Sequence, residues 1–167
     1  MKKLVECVPN FSEGRDQNKI GDIVKQMSDV PGITVLDVDP GPDTNRTVVT
    51  IVGSPEAVGE AAFQGIKRAS EVLDMSQHSG THPRMGATDV CPFIPVSDVS
   101  IEECVELSKQ VGQRVAHQNR PKHVFRLIDK ILKAFRIDIA LTGFATQTQA
   151  AQFRKARLHS GKEKRQP

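Results

Sequence analysis

The stretch of residues 74–89 holds the densest group of reactive side chains in the sequence. It carries His78, His82 and Arg84, together with two aspartates and several hydroxyl groups. Histidine is the side chain whose proton affinity suits general acid–base chemistry near neutral pH. Pro83 biases the backbone of His82 towards an extended conformation. The same composition is typical of a surface loop in which a histidine caps a turn, and the residues alone leave both interpretations open.

A metal site is not indicated in this stretch. His78 and His82 lie four positions apart, as the two ligands of a zinc-binding helix do, but Ser-Gly-Thr stands where that motif needs a glutamate. Gly80 and Pro83 oppose a helix, and no cysteine or third histidine lies nearby. We therefore expect no metal here.

A second polar group follows a stretch rich in β-branched residues. Asp39 stands at the end of that stretch, and a rigid Pro-Gly-Pro turn leads to Asn45 and Arg46. A carboxylate, an amide and a guanidinium so placed could hold a polar substrate through charge-assisted hydrogen bonds. The pattern is equally typical of a hairpin turn in which Asp43 bonds to its own backbone.

The periodicity of apolar residues predicts the elements that position both groups. It gives the order β-α-β-β-α-β-α, which is typical of an α+β fold of the ferredoxin-like βαββαβ type, an antiparallel sheet with its helices on one face. Two prolines and a glycine predict a turn, without regular structure, at residues 40–43. We predict strands at residues 4–8, 33–39, 45–52 and 89–96, and helices that begin after Asp16, Ser54 and Ser100.

The 167 residues divide by charge near residue 116. Residues 1–116 contain 11 lysines and arginines against 17 acids, a net charge of −6, whereas residues 117–167 contain 12 against 3, a net charge of +9. Such a change of sign predicts two regions with these boundaries. In the second region, apolar residues at helical spacing predict an amphipathic helix near residues 123–136, followed by a basic tail that we expect to be disordered.

Composition excludes several classes of protein. Tryptophan and tyrosine are both absent, which argues against the stacking surfaces that bind nucleic acid. No apolar run reaches the roughly 20 residues that cross a bilayer, and no signal peptide is evident. The three cysteines have no disulfide or metal spacing and are predicted to be reduced core thiols. We expect a cytoplasmic protein that binds neither nucleic acid nor membranes.

Three separated motifs stand in order along the acidic region. They are LVECVPNFSEGR at residues 4–15, DVDPGPDTNRTV at residues 37–48 and HPRMGATDVCPFIPV at residues 82–96. Over about residues 3–116 they resemble the N-terminal subdomain of the glutamate formimidoyltransferase family. The resemblance implies an α/β sandwich that transfers a formimino group from N-formimino-L-glutamate to N5 of tetrahydrofolate in histidine degradation. It also implies tetrahydrofolate as co-substrate and no metal.

The resemblance places five candidate residues at motif positions. His82 matches the catalytic histidine, whose imidazole would take a proton from the attacking amine and give one to the departing glutamate nitrogen. Arg46 and Arg84 would hold the carboxylates of the two anionic substrates. Asp39 and Asn45 would orient His82 or the formimino nitrogen. The resemblance leaves open a homodimer.

Beyond residue 116 the sequence departs from the family's pattern. In the family the catalytic cleft lies between two subdomains, so this chain is expected to carry one wall of it, as a truncated, spliced or frame-disrupted member. The alternative is a non-catalytic folate- or partner-binding module, in which the basic segment 117–167 covers the half-site.

Overall fold

The structure, a computed structural model, describes residues 2–81 and 86–118. Along these residues two strands are followed by one helix, and this pattern occurs three times. This order confirms the predicted mixture of helices with an antiparallel sheet. The predicted helix near residues 123–136 and the predicted tail lie outside the described residues. The elements are β1 (Leu4–Cys7), β2 (Asn10–Phe11), α1 (Gln17–Ser28), β3 (Thr34–Gly41), β4 (Arg46–Gly53), α2 (Pro55–Val72), β5 (Thr88–Val90), β6 (Phe93–Ser97) and α3 (Ile101–Gln118).

Strand β4 is the centre of the sheet. It pairs with β3 along one side, and with β1 and β2 along the other. Beyond these, β6 pairs with β1 and β5 pairs with β2, and every pairing is antiparallel. The prediction of one strand at residues 89–96 is wrong, because two strands, β5 and β6, are separated there at Pro92. Proline has no N–H to donate to a neighbouring strand. Pro9 separates β1 from β2 for the same reason.

The predicted end of the second strand is also corrected. Strand β3 continues through Pro40 and Gly41, which pair with Thr47 and Arg46, whereas the sequence predicted a turn from Pro40 onward. Among the described strands β3 pairs only with β4, so it forms an edge of the sheet there. A proline is tolerated in an edge strand because its missing N–H can face away from the neighbouring strand.

The predicted helix starts are confirmed by their capping bonds. Asp16 and Ser54 accept backbone N–H groups in the first turns of α1 and α2, at 3.0 Å and 3.3 Å. Ser100 and Glu103 form a capping box before α3: the Ser100 N–H donates to the Glu103 carboxylate at 2.8 Å, and its hydroxyl accepts the Glu103 N–H at 3.2 Å.

The core lies between one face of the sheet and the helices. Alternate residues of β4, namely Thr47, Val49 and Ile51, are buried, as are Val5 and Cys7 of β1. Helix α2 contacts α1 and α3, and it also contacts strands β1 and β4. The intervening residues of β4 point to the opposite side of the sheet, which we call the outer face. The helices contribute Ile20, Ile23 and Met27 from α1 and Val58, Ala61, Ala62 and Ala69 from α2.

None of the helices described at residues 2–81 and 86–118 is long and apolar enough to cross a membrane.

Two helix glycines of similar backbone conformation differ in their surroundings and give a test of this packing. A Cβ added at Gly65 in α2 would lie 2.8 Å from the Met27 sulfur and 3.1 Å from the Phe11 ring, whereas a Cβ at Gly21 in α1 would meet nothing within 4 Å. We expect Gly65→Ala to lower the free energy of unfolding by about 1–3 kcal/mol through overpacking. We expect the control, Gly21→Ala, to raise it by about 0.5–1 kcal/mol, because alanine favours a helix.

Urea unfolding of the two variants and the parent chain measures both effects. Equal changes of the same sign would contradict the close approach of α1 and α2.

Candidate functional site

The side chain of Asn45 joins two separate segments of backbone. Asn45 lies between β3 and β4 with φ of 50° and is 7% exposed. Its Oδ1 accepts the N–H of Gly14 at 2.9 Å, and its Nδ2 donates to the carbonyl of Ser79 at 3.0 Å. The amide therefore links the turn before α1 to the loop that connects α2 with β5. Both ends of the amide are thus bonded to the protein's own backbone.

Further contacts hold the same loop against the β3–β4 turn. Nε2 of His78 lies 3.1 Å from the Asn45 carbonyl oxygen, which only accepts, so this nitrogen carries the proton. The Thr81 N–H donates to the carbonyl of Asp43 at 3.4 Å. A Cβ at Gly80 would lie 2.4 Å from the Thr44 carbonyl oxygen, so the approach requires glycine at this position.

Ser12 fixes the returning end of the loop. Its hydroxyl donates to the Gly86 carbonyl at 2.7 Å, and its backbone N–H donates to the Ala87 carbonyl at 2.9 Å. The chain is thus anchored up to Thr81 and again from Gly86. The predicted residues His82 and Arg84 themselves lie outside the described residues.

Asp39 and Arg46 lie on the same side of the β3–β4 hairpin. Asp39 is opposite Val48, two residues from Arg46, so alternation places both side chains on the outer face. The carboxylate of Asp39 belongs to an exposed residue. Nε of Arg46 lies 3.5 Å from a carboxylate oxygen of Asp89, whose side chain is 4% exposed. The structure therefore brings Asp39 and Arg46 to one face, while Asn45 faces the loop.

Gly14 marks the point where three stretches of backbone meet. A Cβ there would lie 2.4 Å from the Gly41 carbonyl oxygen and 2.6 Å from the Arg46 nitrogen. The Glu13 carboxylate accepts the N–H groups of Arg15 and Asp16 at 2.9 Å and 3.0 Å, which fixes the start of α1. The sequence pattern does not predict this junction, because its partners are far apart along the chain. The one local signal was an asparagine after a Pro-Gly-Pro turn, a residue that tolerates positive φ.

An open cleft of about 250 Å³ separates the loop from α1. The hydroxyl and backbone N–H of Ser76 donate to Asp74 at this cleft and lower the pKa of its carboxyl group below the usual value. Within residues 2–81 and 86–118, no three histidine, cysteine or acidic side chains come together as metal ligands. The cleft is lined by Ser12, Glu13, Lys19, Asn45, Leu73, Asp74, Gln77 and His78.

Replacing one atom of the Asn45 amide tests its role. Asn45→Asp keeps the acceptor for the Gly14 N–H but turns a second oxygen towards the Ser79 carbonyl, so we expect a loss of about 1–3 kcal/mol in the free energy of unfolding at pH 7. Below about pH 4 the introduced carboxyl group is protonated and can donate to the Ser79 carbonyl again. The difference in the free energy of unfolding between Asn45→Asp and the parent should therefore be smaller than at pH 7.

Urea titrations at both pH values measure this, with the exposed Asn18→Asp as control, which we expect within about 0.5 kcal/mol of the parent. An Asn45→Asp chain as stable as the parent at pH 7 would rule out the bond to Ser79.

Comparisons with known proteins agree with the three sequence motifs. The family described as the formiminotransferase domain, N-terminal subdomain, matches residues 4–158, which runs past the change of charge near residue 116. Formimidoyltransferase-cyclodeaminase of Mus musculus is 56% identical over 126 residues, 75% of this chain and 23% of its own length. Glutamate formimidoyltransferase of Streptococcus pyogenes serotype M1 is 53% identical over 115 residues, 69% of this chain and 38% of its own.

A third relative extends the likeness. Glutamate formimidoyltransferase of Thermoplasma acidophilum is 47% identical over 115 residues, again 69% of this chain and 38% of its own. The chain thus spans less than two-fifths of the length of these relatives. The resemblance seen in the sequence is confirmed: the chain belongs to the formiminotransferase domain family, through its N-terminal subdomain.

Proposed function

We propose that this chain forms part of a glutamate formimidoyltransferase, which transfers the formimino group of N-formimino-L-glutamate to N5 of tetrahydrofolate. The observation that carries the proposal is the match of residues 4–158 to the family, whose relatives bear this activity in their names. Tetrahydrofolate would be a co-substrate, and no metal is invoked.

The chemistry needs one group that moves protons in both directions. N5 attacks the formimino carbon and forms a tetrahedral intermediate, in which N5 must lose a proton. The bond from that carbon to the glutamate nitrogen then breaks, and this nitrogen must gain a proton. A single imidazole near neutral pH can do both in turn. We assign this role to His82.

The anchors of the loop support this assignment. Thr81, the residue before His82, donates its N–H to the β3–β4 turn, and Gly86 is held by Ser12 on the other side. These bonds fix the described residues on both sides of 82–85, and fixed neighbours lower the entropic cost of placing a catalytic group between them.

The outer face of the hairpin supplies candidates for binding the substrates. We propose that Arg46, together with Arg84, holds substrate carboxylates, since a guanidinium binds a carboxylate through two parallel N–H groups. The buried carboxylate of Asp89, 3.5 Å from Nε of Arg46, would fix the direction of that guanidinium. Asp39 on the same face would orient the formimino nitrogen. For Asn45 we propose a positioning role instead of direct contact with substrate.

We also infer the type of fold, the division of the chain into two regions, its location and its oligomeric state. The strand order β3–β4–β1–β6, all antiparallel, supports the ferredoxin-like βαββαβ plan for residues 1–116. Residues 117–167, the first two of which end α3, would form a basic segment with a helix near residues 123–136. A cytoplasmic location and a homodimer complete the proposal.

A second function is favoured by the charge of residues 117–167, which is +9. The resemblance implies a cleft between two subdomains, and residues 1–116 would hold one wall of it. The alternative is a non-catalytic folate- or partner-binding module, in which the basic residues of 117–167 cover that wall.

The activity test compares two histidine variants. We expect the purified chain to form 5-formimino-tetrahydrofolate in the presence of formiminoglutamate, and His82→Ala to lower the rate by about 10²–10⁴-fold, the usual contribution of a general acid–base group. His117, exposed in the last turn of α3, provides the matched control, and His117→Ala should keep the parent rate.

Equal rates for the His82→Ala and parent chains would contradict the role of His82. A parent chain without turnover would overturn the enzyme proposal for this chain. Calorimetric titration with tetrahydrofolate would then decide for or against the binding module.

A further inference from the structure

Two cysteine sulfurs are in contact within the sheet. Cys7 belongs to β1, and Cys91 lies between β5 and β6, yet their sulfur atoms are 3.5 Å apart. The register pairs Cys7 with Phe93, two residues after Cys91, and Cys91 packs against the core cluster that contains Cys7. Both side chains pack with the core, where Cys7 is fully buried and Cys91 is partly exposed.

The backbone around this contact allows the sulfurs to approach further. A disulfide requires a sulfur–sulfur distance of about 2.05 Å, so the two atoms must close by about 1.5 Å. The Val8 N–H donates to the Pro92 carbonyl at 3.2 Å, which keeps the two segments side by side. Cys91 itself is outside regular strand pairing, so a small shift there need not break a continuous ladder.

We propose that Cys7 and Cys91 form a reversible disulfide when the chain meets a low-molecular-weight disulfide such as oxidised glutathione. The remaining cysteine, Cys104, is buried in α3 and keeps its thiol. The inference does not depend on the proposed transferase activity.

The two cysteines take different parts in the exchange. Burial raises the pKa of the Cys7 thiol well above its usual value, so Cys7 stays protonated and shielded from the reagent. Cys91 gives its proton to water and attacks glutathione disulfide, whose S–S bond breaks, and the glutathione thiolate that leaves takes up a proton. Cys7 then gives its proton to water and attacks the Cys91 sulfur, whose bond to the second glutathione breaks, and this thiolate also takes up a proton. Two protein thiols are oxidised, and one glutathione disulfide is reduced to two thiols.

The test oxidises the folded 167-residue chain with glutathione disulfide and maps its thiols by mass spectrometry. We expect the intact chain to lose two hydrogen atoms without retaining glutathione. A peptide pair joined through Cys7 and Cys91 should appear and should vanish on reduction, while Cys104 remains open to alkylation after unfolding. The oxidised chain should also unfold at a higher urea concentration than the reduced chain.

Three variants separate the steps. Cys7→Ala should leave glutathione attached to Cys91, Cys91→Ala should leave Cys7 unreacted, and Cys104→Ala should form the disulfide as the parent does. In the urea-unfolded parent, the short loop between Cys91 and Cys104 should form preferentially instead, because closing a short loop costs less entropy.

The mass-spectrometric map of the thiols in the unmutated chain tests the proposed Cys7–Cys91 disulfide even if a variant does not fold. Three free thiols, glutathione retained on Cys91 or a disulfide that includes Cys104 in the folded chain would each overturn the proposal.

Discussion

The arrangement of the candidate site depends on the carboxamide of Asn45. One end accepts the N–H of Gly14 and the other donates to the carbonyl of Ser79, within a buried junction where a side chain at Gly14 would collide with backbone. Each bond is worth only about 1 kcal/mol net, but an unsatisfied buried partner costs more than a made bond gains. The strand register and the course of the α2–β5 loop are therefore coupled at one residue.

The two faces of the sheet around this junction differ in the side chains that they carry. On the helix side, close packing of small and apolar side chains fills the space beneath α2, and polar groups are few. On the outer face, Asp39 is exposed at the hairpin, whereas the Arg46 side chain is only 19% exposed and lies beside the Asp89 carboxylate. The sheet thus separates a face that packs against the helices from a face that carries charged side chains at the hairpin.

Much of the fold was predictable from local patterns, because its causes are local. Asp16, Ser54 and the Ser100–Glu103 pair begin helices through bonds to residues two or three positions away. The predictions failed where the position of a strand in the sheet mattered. Pro40 is tolerated only because β3 pairs on one side within the described sheet. The site was predictable as motifs, but the Asn45–Gly14 and Arg46–Asp89 contacts join distant residues, and neither spacing nor composition encodes such pairs.

The amide of Gly14 gives the most direct test of this account, through native-state hydrogen exchange followed by NMR. If the Asn45 junction is part of the cooperative core, the Gly14 N–H should exchange only through global unfolding. Its free energy of opening should equal that of Val49, whose N–H donates to the Pro9 carbonyl within the sheet. Exchange of Gly14 at the rate of an exposed turn amide, while Val49 stays protected, would contradict the central role given to Asn45.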